Sequence, residues 1–189
     1  KCLYKIPFSE GTENPNIYGL FDYGNTIVNK AIWNLKYKHR GQEIKILTQY
    51  GSQMINEIVA EHLQSSSPQN IYLVPIPQHK SKTQTRGFNQ SLLIAQWLTQ
   101  TIPNSQVKNV LEKTRQTLPQ SHLQDRRLRL QNAHDTMRVA KQIDPKQIYI
   151  VIDDVTTTGA TFLEAIRVLK NAGAKNILCI ALAHGYKRK

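Results

Sequence analysis

Hydrophobic and polar positions follow two different periods along most of this chain. Short runs rich in β-branched residues are typical of buried strands, whereas longer segments with an apolar residue at every third or fourth position are typical of helices. The predicted strands cover residues 18–23, 71–74, 107–111, 136–139, 148–152 and 177–183. The predicted helices cover residues 27–35, 44–63, 88–98 and 162–169. This alternation predicts an α/β fold, with a mainly parallel, twisted sheet flanked by helices.

The length of 189 residues is enough for one domain with a sizeable core. We predict an irregular lead-in over residues 1–17 and one domain over residues 18–189. Residues 112–135 form a polar stretch without a clear apolar period, although part of it could be helical. A loop of this length in a compact domain is commonly a functional lid. No apolar run could span a bilayer and no secretory segment opens the chain, which predicts a cytoplasmic protein without membrane insertion.

The formal net charge of +12 favours ligands rich in phosphate. It exceeds what one small ligand needs and therefore also raises the expectation of contact with nucleic acid. The basic residues gather in four clusters, at residues 36–40, 80–86, 126–138 and 187–189. Each cluster is equally compatible with an ordinary solvated surface, so charge alone identifies neither kind of ligand.

The segment IYIVIDDVTTTGAT, residues 148–161, is the most informative part of the chain. Asp153 and Asp154 fall at the carboxyl end of a predicted buried strand, and a hydroxyl-rich turn then leads into a predicted helix that ends near Gly173. The N-terminus of a helix favours an anion. The alternative is that these residues only cap the helix, but two acids and four threonines within nine positions exceed what a cap needs.

This segment resembles the phosphoribosyl pyrophosphate (PRPP) signature of the type I phosphoribosyltransferases. The resemblance implies that Asp153 and Asp154 contact the ribose 2′ and 3′ hydroxyls, and that Mg²⁺ accompanies PRPP without an assigned protein ligand. It implies that the 5′-phosphate is held by the loop residues Thr156, Thr157, Thr158, Gly159, Ala160 and Thr161. The physical chemistry agrees, because carboxylates accept hydrogen bonds from hydroxyls but repel a phosphate, which must lie further along at uncharged donors.

Two further motifs narrow the resemblance to the ComF branch of these proteins, which is associated with natural competence for DNA uptake. They are Val74-Pro75-Ile76-Pro77 and Arg86-Gly87-Phe88-Asn89-Gln90. In the superfamily the turn between them binds pyrophosphate, which makes Lys80, Lys82 and Arg86 candidate contacts. We predict only structural roles for Phe88, as a buried aromatic residue, and for Asn89, as a helix-entry residue.

Two other segments resemble family elements less specifically. Residues 111–137 fit the family spacing with Gln120, Leu123, Arg127 and Asn132, in a region that often closes over PRPP. Arg127 either stabilises the phosphate charge when this region closes over PRPP or lies on a solvated helix face. In the segment NLKYKHRG, Lys36 either approaches the site or is a surface lysine.

The two cysteines, Cys2 and Cys179, are too few for a disulfide framework. Cys179 lies in an apolar run and is predicted to be buried. ComF-type proteins commonly begin with a four-cysteine zinc ribbon, and Cys2 resembles the end of one. Because a zinc site needs about four ligands, zinc is expected only with residues upstream of Lys1, and the alternative is a relative without zinc.

The resemblance implies two alternative functions. The first is an enzyme, a phosphoribosyltransferase that transfers ribose 5-phosphate from PRPP to a nitrogen acceptor. The second is a non-catalytic competence factor that binds single-stranded DNA, works with competence DNA-processing proteins and keeps a regulatory PRPP pocket. Tyr37, Phe88 and Trp97 are candidate base-stacking residues for the second function, although packing in the core explains aromatic residues equally well.

Overall fold

The computed structural model describes residues 4–5, 16–38, 41–62, 70–79, 87–115 and 126–185. The strands in this part of the chain are β1 (Tyr4–Lys5), β2 (Ile17–Asp22), β3 (Ile71–Pro75), β4 (Ser105–Val107), β5 (Leu111–Lys113), β6 (Met137–Val139), β7 (Ile148–Thr156) and β8 (Asn176–His184). The helices are α1 (Thr26–Lys38), α2 (Gln42–His62), α3 (Gln90–Leu98), α4 (Arg126–Ala133) and α5 (Ala160–Asn171).

The main sheet has six strands in the order β1-β2-β8-β7-β3-β4. Only β1 runs antiparallel to its neighbour, and the ladders joining β2, β8, β7, β3 and β4 are parallel. A separate antiparallel pair is formed by β5 and β6. The predicted mainly parallel sheet is therefore confirmed. Because parallel strands end at the same edge, the carboxyl ends of β2, β3, β7 and β8 lie side by side, where ligands bind in sheets of this kind.

Helices cover both faces of this sheet, because the central strand β7 has apolar side chains on both sides. Ile148, Ile150 and Ile152 belong to a buried core shared with α1, α2 and α3. Tyr149 and Val151 belong to a second core, which includes residues of α5. Alternating side chains of a strand point to opposite faces, so the continuous apolar run of β7 matches a strand buried on both sides. The central strand is thus held firmly where it reaches the carboxyl edge.

Helix α1 brings Lys36, the first residue of one basic cluster, to this edge. The helix begins with a side-chain cap, in which Asn25 Oδ1 accepts hydrogen bonds from the N–H groups of Ile27 (3.0 Å) and Val28 (3.3 Å). Its buried apolar residues are Val28, Ala31, Ile32 and Leu35. The first turn follows the end of β2 and the last turn contacts the end of β7, so α1 runs along the carboxyl edge.

The predicted strand over residues 107–111 is wrong. Strand β4 ends at Val107, and the Lys108 N–H makes one more bond to the Leu73 carbonyl (3.0 Å) before the chain leaves the main sheet. Val110 then accepts a hydrogen bond from the Ala140 N–H (2.8 Å), next to the pair formed by β5 and β6. An apolar pattern cannot distinguish one strand from two short strands that pair in different sheets.

The sequence places the end of β7 too early. The predicted strand stops at residue 152, whereas β7 continues to Thr156 because Val155 and Thr156 pair with Ala183 and His184 of β8. Asp153 and Asp154 therefore lie within the last residues of a hydrogen-bonded strand and not beyond it. Their backbone is fixed by the sheet, which limits the freedom of both carboxyl groups.

Other predicted elements have different outcomes. The polar stretch at residues 112–135 is helical in part, as the sequence allowed, because α4 lies within it; residues 116–125 fall outside the described part. The predicted end of α5 is confirmed, since Gly173 has φ 98° and its N–H donates to the Lys170 carbonyl (2.9 Å). The predicted lead-in contributes β1, while Cys2 lies outside the described residues. Among the described helices, we find none with the length and apolar character that crossing a membrane requires.

Candidate functional site

Two adjacent carboxyl groups, at Asp153 and Asp154, form the centre of the candidate site. Asp153 Oδ1 accepts hydrogen bonds from Ser91 Oγ (2.9 Å) and from the Asp154 N–H (2.9 Å). Asp154 Oδ1 accepts from the Val155 N–H (2.7 Å), and its Oδ2 lies 2.6 Å from Lys36 Nζ. Both oxygens of Asp154 thus have protein partners, whereas Asp153 Oδ2 has none among the described residues.

The surroundings of the acid pair shift the pKa values of Asp153 and Lys36. Burial, together with the negative charge of Asp154, raises the pKa of Asp153 to about 7. Burial alone would lower the pKa of Lys36, but the neighbouring Asp154 carboxylate outweighs burial and raises this pKa overall. Lys36 therefore stays charged beside Asp154, and Asp153 can gain or lose a proton near neutral pH.

One backbone contact and one side-chain contact join the turn after β7 to the end of β8. The Gly185 N–H donates to the Thr156 carbonyl (2.9 Å), and His184 Nε2 lies 3.1 Å from the Thr157 carbonyl oxygen. Burial lowers the pKa of His184, which therefore favours the neutral ring. Gly159 has φ 73°, a backbone conformation that favours glycine.

The simple capping explanation of this turn is wrong. Helix α5 has Gly159 at its N-cap position, and no side chain makes a capping hydrogen bond there. The two acids bond elsewhere, to Ser91, to Lys36 and to the backbone of β7. The first N–H groups of α5 are therefore not satisfied by a capping side chain, as expected of a helix that receives an anion.

One hydroxyl in this turn has no partner. Thr158 Oγ1 is buried and makes no hydrogen bond to the residues that the structure describes. Buried polar groups in native proteins are nearly always hydrogen-bonded, so an exception indicates strain or a missing ligand. Because Thr158 directly precedes Gly159 and α5, the exception lies where the sequence predicts a phosphate.

The start of α3 forms the opposite wall of the acid pair. Asn89 caps this helix by accepting from the N–H groups of Ser91 (3.0 Å) and Leu92 (3.4 Å), and its own Nδ2 donates to the Ile76 carbonyl (2.9 Å). The predicted helix-entry role of Asn89 is confirmed, and Phe88 packs partly buried against the core as predicted. The cap positions the Ser91 hydroxyl toward Asp153.

A pair of amide side chains lies beside this cap. Gln78 Nε2 donates to Gln90 Oε1, and Gln90 is fully buried. Gln78 Oε1 and Gln90 Nε2 are buried without a hydrogen-bond partner in the described part of the chain. In the sequence, Gln78 and Gln90 flank residues 80–86, where the pyrophosphate contacts are predicted.

The structure brings together only part of the predicted site. The acid pair and the loop of residues 156–161 adjoin at the end of β7, and Lys36, which the sequence left open, joins them. Arg127 is exposed on α4. The predicted contacts Lys80, Lys82 and Arg86 lie outside the described residues. Sequence reasoning missed Ser91, Gln78 and Gln90, and the only signal for Ser91 was its position two residues after a capping asparagine.

Two solved structures are similar to part of this chain. PRPP synthetase from Mycobacterium smegmatis matches with a TM-score of 0.43 and 18% identity over 71% of this chain and 33% of that chain. A hypoxanthine phosphoribosyltransferase from Staphylococcus aureus matches with a TM-score of 0.46 and 10% identity over 72% of this chain and 62% of that chain. The fold class itself rests on the parallel sheet and the helices on its two faces.

In sequence the chain is similar to proteins named for competence and DNA utilization. Competence protein F of Haemophilus influenzae is 31% identical over 113 residues, which cover 59% of this chain and 49% of that protein. DNA utilization protein YhgH of Salmonella typhi is 26% identical over 177 residues, which cover 94% of this chain and 73% of that protein. The chain spans about half the length of most of the curated relatives that it matches. No family model matches it. The predicted resemblance to the ComF proteins is confirmed.

Proposed function

We propose that this chain binds PRPP at the carboxyl edge of the sheet. In this proposal Asp153 and Asp154 face the ribose, and residues 156–161 hold the 5′-phosphate. The observation that carries it is the buried Thr158 hydroxyl, which has no partner among the described residues and lies between an acid pair and the start of α5, where no side chain caps the helix. Mg²⁺ would neutralise the pyrophosphate of the bound ligand.

The residues of the site fit the chemistry of this ligand. Vicinal ribose hydroxyls need acceptors, and Asp153 Oδ2 is an acceptor without a partner among the described residues. A phosphate needs donors and no carboxylate, which the turn provides through Thr158 and the first N–H groups of α5. The acid pair and the donors are consecutive along one rigid strand and turn, so one ligand can contact both.

The reaction that we propose is transfer of ribose 5-phosphate to a nitrogen acceptor. The bond between ribose C1 and pyrophosphate breaks, the bond between C1 and the nitrogen forms, and the nitrogen loses a proton. No protein group needs to bond covalently to the substrate, because orientation and stabilisation of the leaving group account for catalysis. Lys80, Lys82, Arg86 and Arg127 remain the predicted cationic contacts for the phosphates.

Isothermal calorimetry with PRPP and Mg²⁺ tests the binding site. We expect Asp153→Asn combined with Asp154→Asn to weaken binding at least ~tenfold, because two charged acceptors are lost. Glu57→Gln combined with Glu61→Gln removes the same charge from the exposed surface of α2 and should leave the affinity unchanged. Equal affinity of the parent and the Asp153/Asp154 variant would show that the ribose assignment is wrong.

A second candidate function, binding of single-stranded DNA, is favoured by one surface of α1. Trp33 and Tyr37 are 46% and 58% exposed, and their ring centroids lie 5.5 Å apart. Lys38 Nζ lies 5.1 Å from the centroid of the Trp33 ring. Exposed rings beside a cation suit stacked bases and their phosphates. By contrast, Phe88 and Trp97 pack against the core and are explained by it.

Reciprocal coupling separates the two candidates. If the pocket regulates DNA binding, PRPP changes the affinity for DNA, and DNA changes the affinity for PRPP by the same factor. Fluorescence anisotropy with a labelled oligonucleotide at fixed, near-physiological salt, with and without PRPP and Mg²⁺, measures this factor. We expect coupling, because α1 contacts the acid pair through Lys36 and also carries Trp33 and Tyr37. Identical curves together with pyrophosphate release in the presence of a base would favour a plain transferase.

A further inference from the structure

The Lys36 side chain differs from the other basic side chains of its helix. Its Nζ lies 2.6 Å from Asp154 Oδ2, and the two side chains are only 22% and 12% exposed. Lys30, on the same helix, is exposed to solvent. An ion pair that is largely removed from water requires good geometry, and loss of one partner would leave a buried charge. This contact therefore differs from an ordinary pair on the protein surface.

We infer that Lys36 is a positioning residue of this site: its ammonium group holds the Asp154 carboxylate and leaves Asp153 as the carboxylate that accepts the ligand's hydroxyl groups. The two acids then have different roles. Both oxygens of Asp154 are engaged, by Lys36 and by the Val155 N–H. Asp153 Oδ2 has no partner among the described residues, so Asp153 can meet a ligand without breaking a contact. This inference rests on the proposed binding of PRPP.

The charged and polar groups around the pair explain why a cation is needed. Asp153 faces the Ser91 hydroxyl from α3, Asp154 from its own strand and Lys36 from α1, and Lys36 also interacts with Tyr23 before α1. Burial and the charge of Asp154 favour a proton on Asp153, and Lys36 opposes them. Without Lys36, two adjacent carboxyl groups would share a proton over a wider pH range. The ligand would then meet a neutral acid in place of a carboxylate.

Binding of PRPP as a function of pH tests this role. We expect Lys36→Met to lower the affinity ~tenfold just below neutral pH, and the loss should shrink as the pH rises and Asp153 ionises. Lys36→Arg keeps a cation and should retain most of the affinity. Lys30→Met removes the same charge from the exposed surface of α1 and should leave the profile unchanged. A loss that is equal at every pH, or a Lys36→Arg variant as weak as Lys36→Met, would overturn the inference.

A second measurement needs no ligand and separates this inference from the proposed function. The titration of the Asp153 carboxyl carbon can be followed by NMR in the wild type, Lys36→Met and Lys30→Met. We expect its midpoint to rise in Lys36→Met alone. An unchanged midpoint would refute the electrostatic role of Lys36 even if PRPP binds. If the wild type does not bind PRPP, the proposed function fails, while the carboxyl titration still decides whether Lys36 sets the charge of Asp153.

Discussion

Asp153 should reduce the stability of the ligand-free protein near neutral pH, and Asp153→Asn should restore it. Asparagine keeps an oxygen that can accept the hydrogen bonds from Ser91 Oγ and the Asp154 N–H. It removes the charge that burial and the adjacent carboxylate oppose, and its NH₂ group takes the place of Oδ2, which has no partner among the described residues. The variant therefore isolates the electrostatic cost of the acid pair from its packing.

The size and sign of this effect follow from the pKa of Asp153. Burial and the charge of Asp154 raise this pKa from 3.8 to about 7, so the folded state binds the proton more tightly than the unfolded chain does. The contribution of protonated Asp153 to the free energy of unfolding is then fully present below about pH 4, and it is lost as the pH rises to about 7. A tenfold difference in proton affinity corresponds to about 1.4 kcal/mol, so the folded and unfolded states differ by at most about 4 kcal/mol in the cost of ionising Asp153.

Urea denaturation at several pH values measures this difference. We expect Asp153→Asn to be more stable than the wild type by about 2 to 4 kcal/mol at about pH 8, and the advantage should shrink steadily toward about pH 4. Glu57→Gln removes one exposed charge of α2 and should show no such pH dependence. A wild type that equals or exceeds the variant in stability at about pH 8 would refute the reasoning about Asp153.

Two further predictions concern other parts of the site and its surroundings. Thr158→Val removes the buried hydroxyl that has no partner among the described residues, and it keeps the size of the side chain. Without ligand, thermal denaturation should show that the free energy of unfolding increases by about 1 kcal/mol. Calorimetry should show that the affinity for PRPP falls ~tenfold. A loss of stability without ligand would mean that the hydroxyl has a partner. Trp33→Ala combined with Tyr37→Ala should weaken binding of single-stranded DNA ~tenfold in anisotropy titrations, whereas Tyr50→Ala, on an exposed position of α2, should not. Equal losses in both variants would exclude a specific role for the α1 surface.

Local patterns account for the elements that the sequence predicts correctly. Strand β7 and helix α5 are marked by a β-branched run and by a helical apolar period, and Gly173 marks the helix end. These signals depend on neighbouring residues, so a single sequence contains them. The position of the acid pair follows from the same signals, because parallel strands place their carboxyl ends at one edge.

Contacts between distant segments could not be predicted in the same way. Lys36 reaches Asp154 only because α1 runs along the carboxyl edge, and Ser91 reaches Asp153 only because Asn89 fixes the start of α3. The single strand predicted at residues 107–111 is wrong for the same reason. Pairing with distant strands decides that this run is divided between β4 and β5. The type of a side chain limits which residues it can contact, but the tertiary structure determines which of these contacts form.

The two unfavourable features of this edge support the proposed ligand. One is a carboxyl group, Asp153, that resists ionisation near neutral pH, and the other is the buried Thr158 hydroxyl without a partner among the described residues. Natural proteins retain such departures from stability mainly at functional sites. A sugar alone would satisfy only Asp153, and a free phosphate would satisfy only Thr158 and the start of α5. Ribose 5-phosphate, the part of PRPP that is transferred in the proposed reaction, carries both groups in one molecule and would satisfy both together.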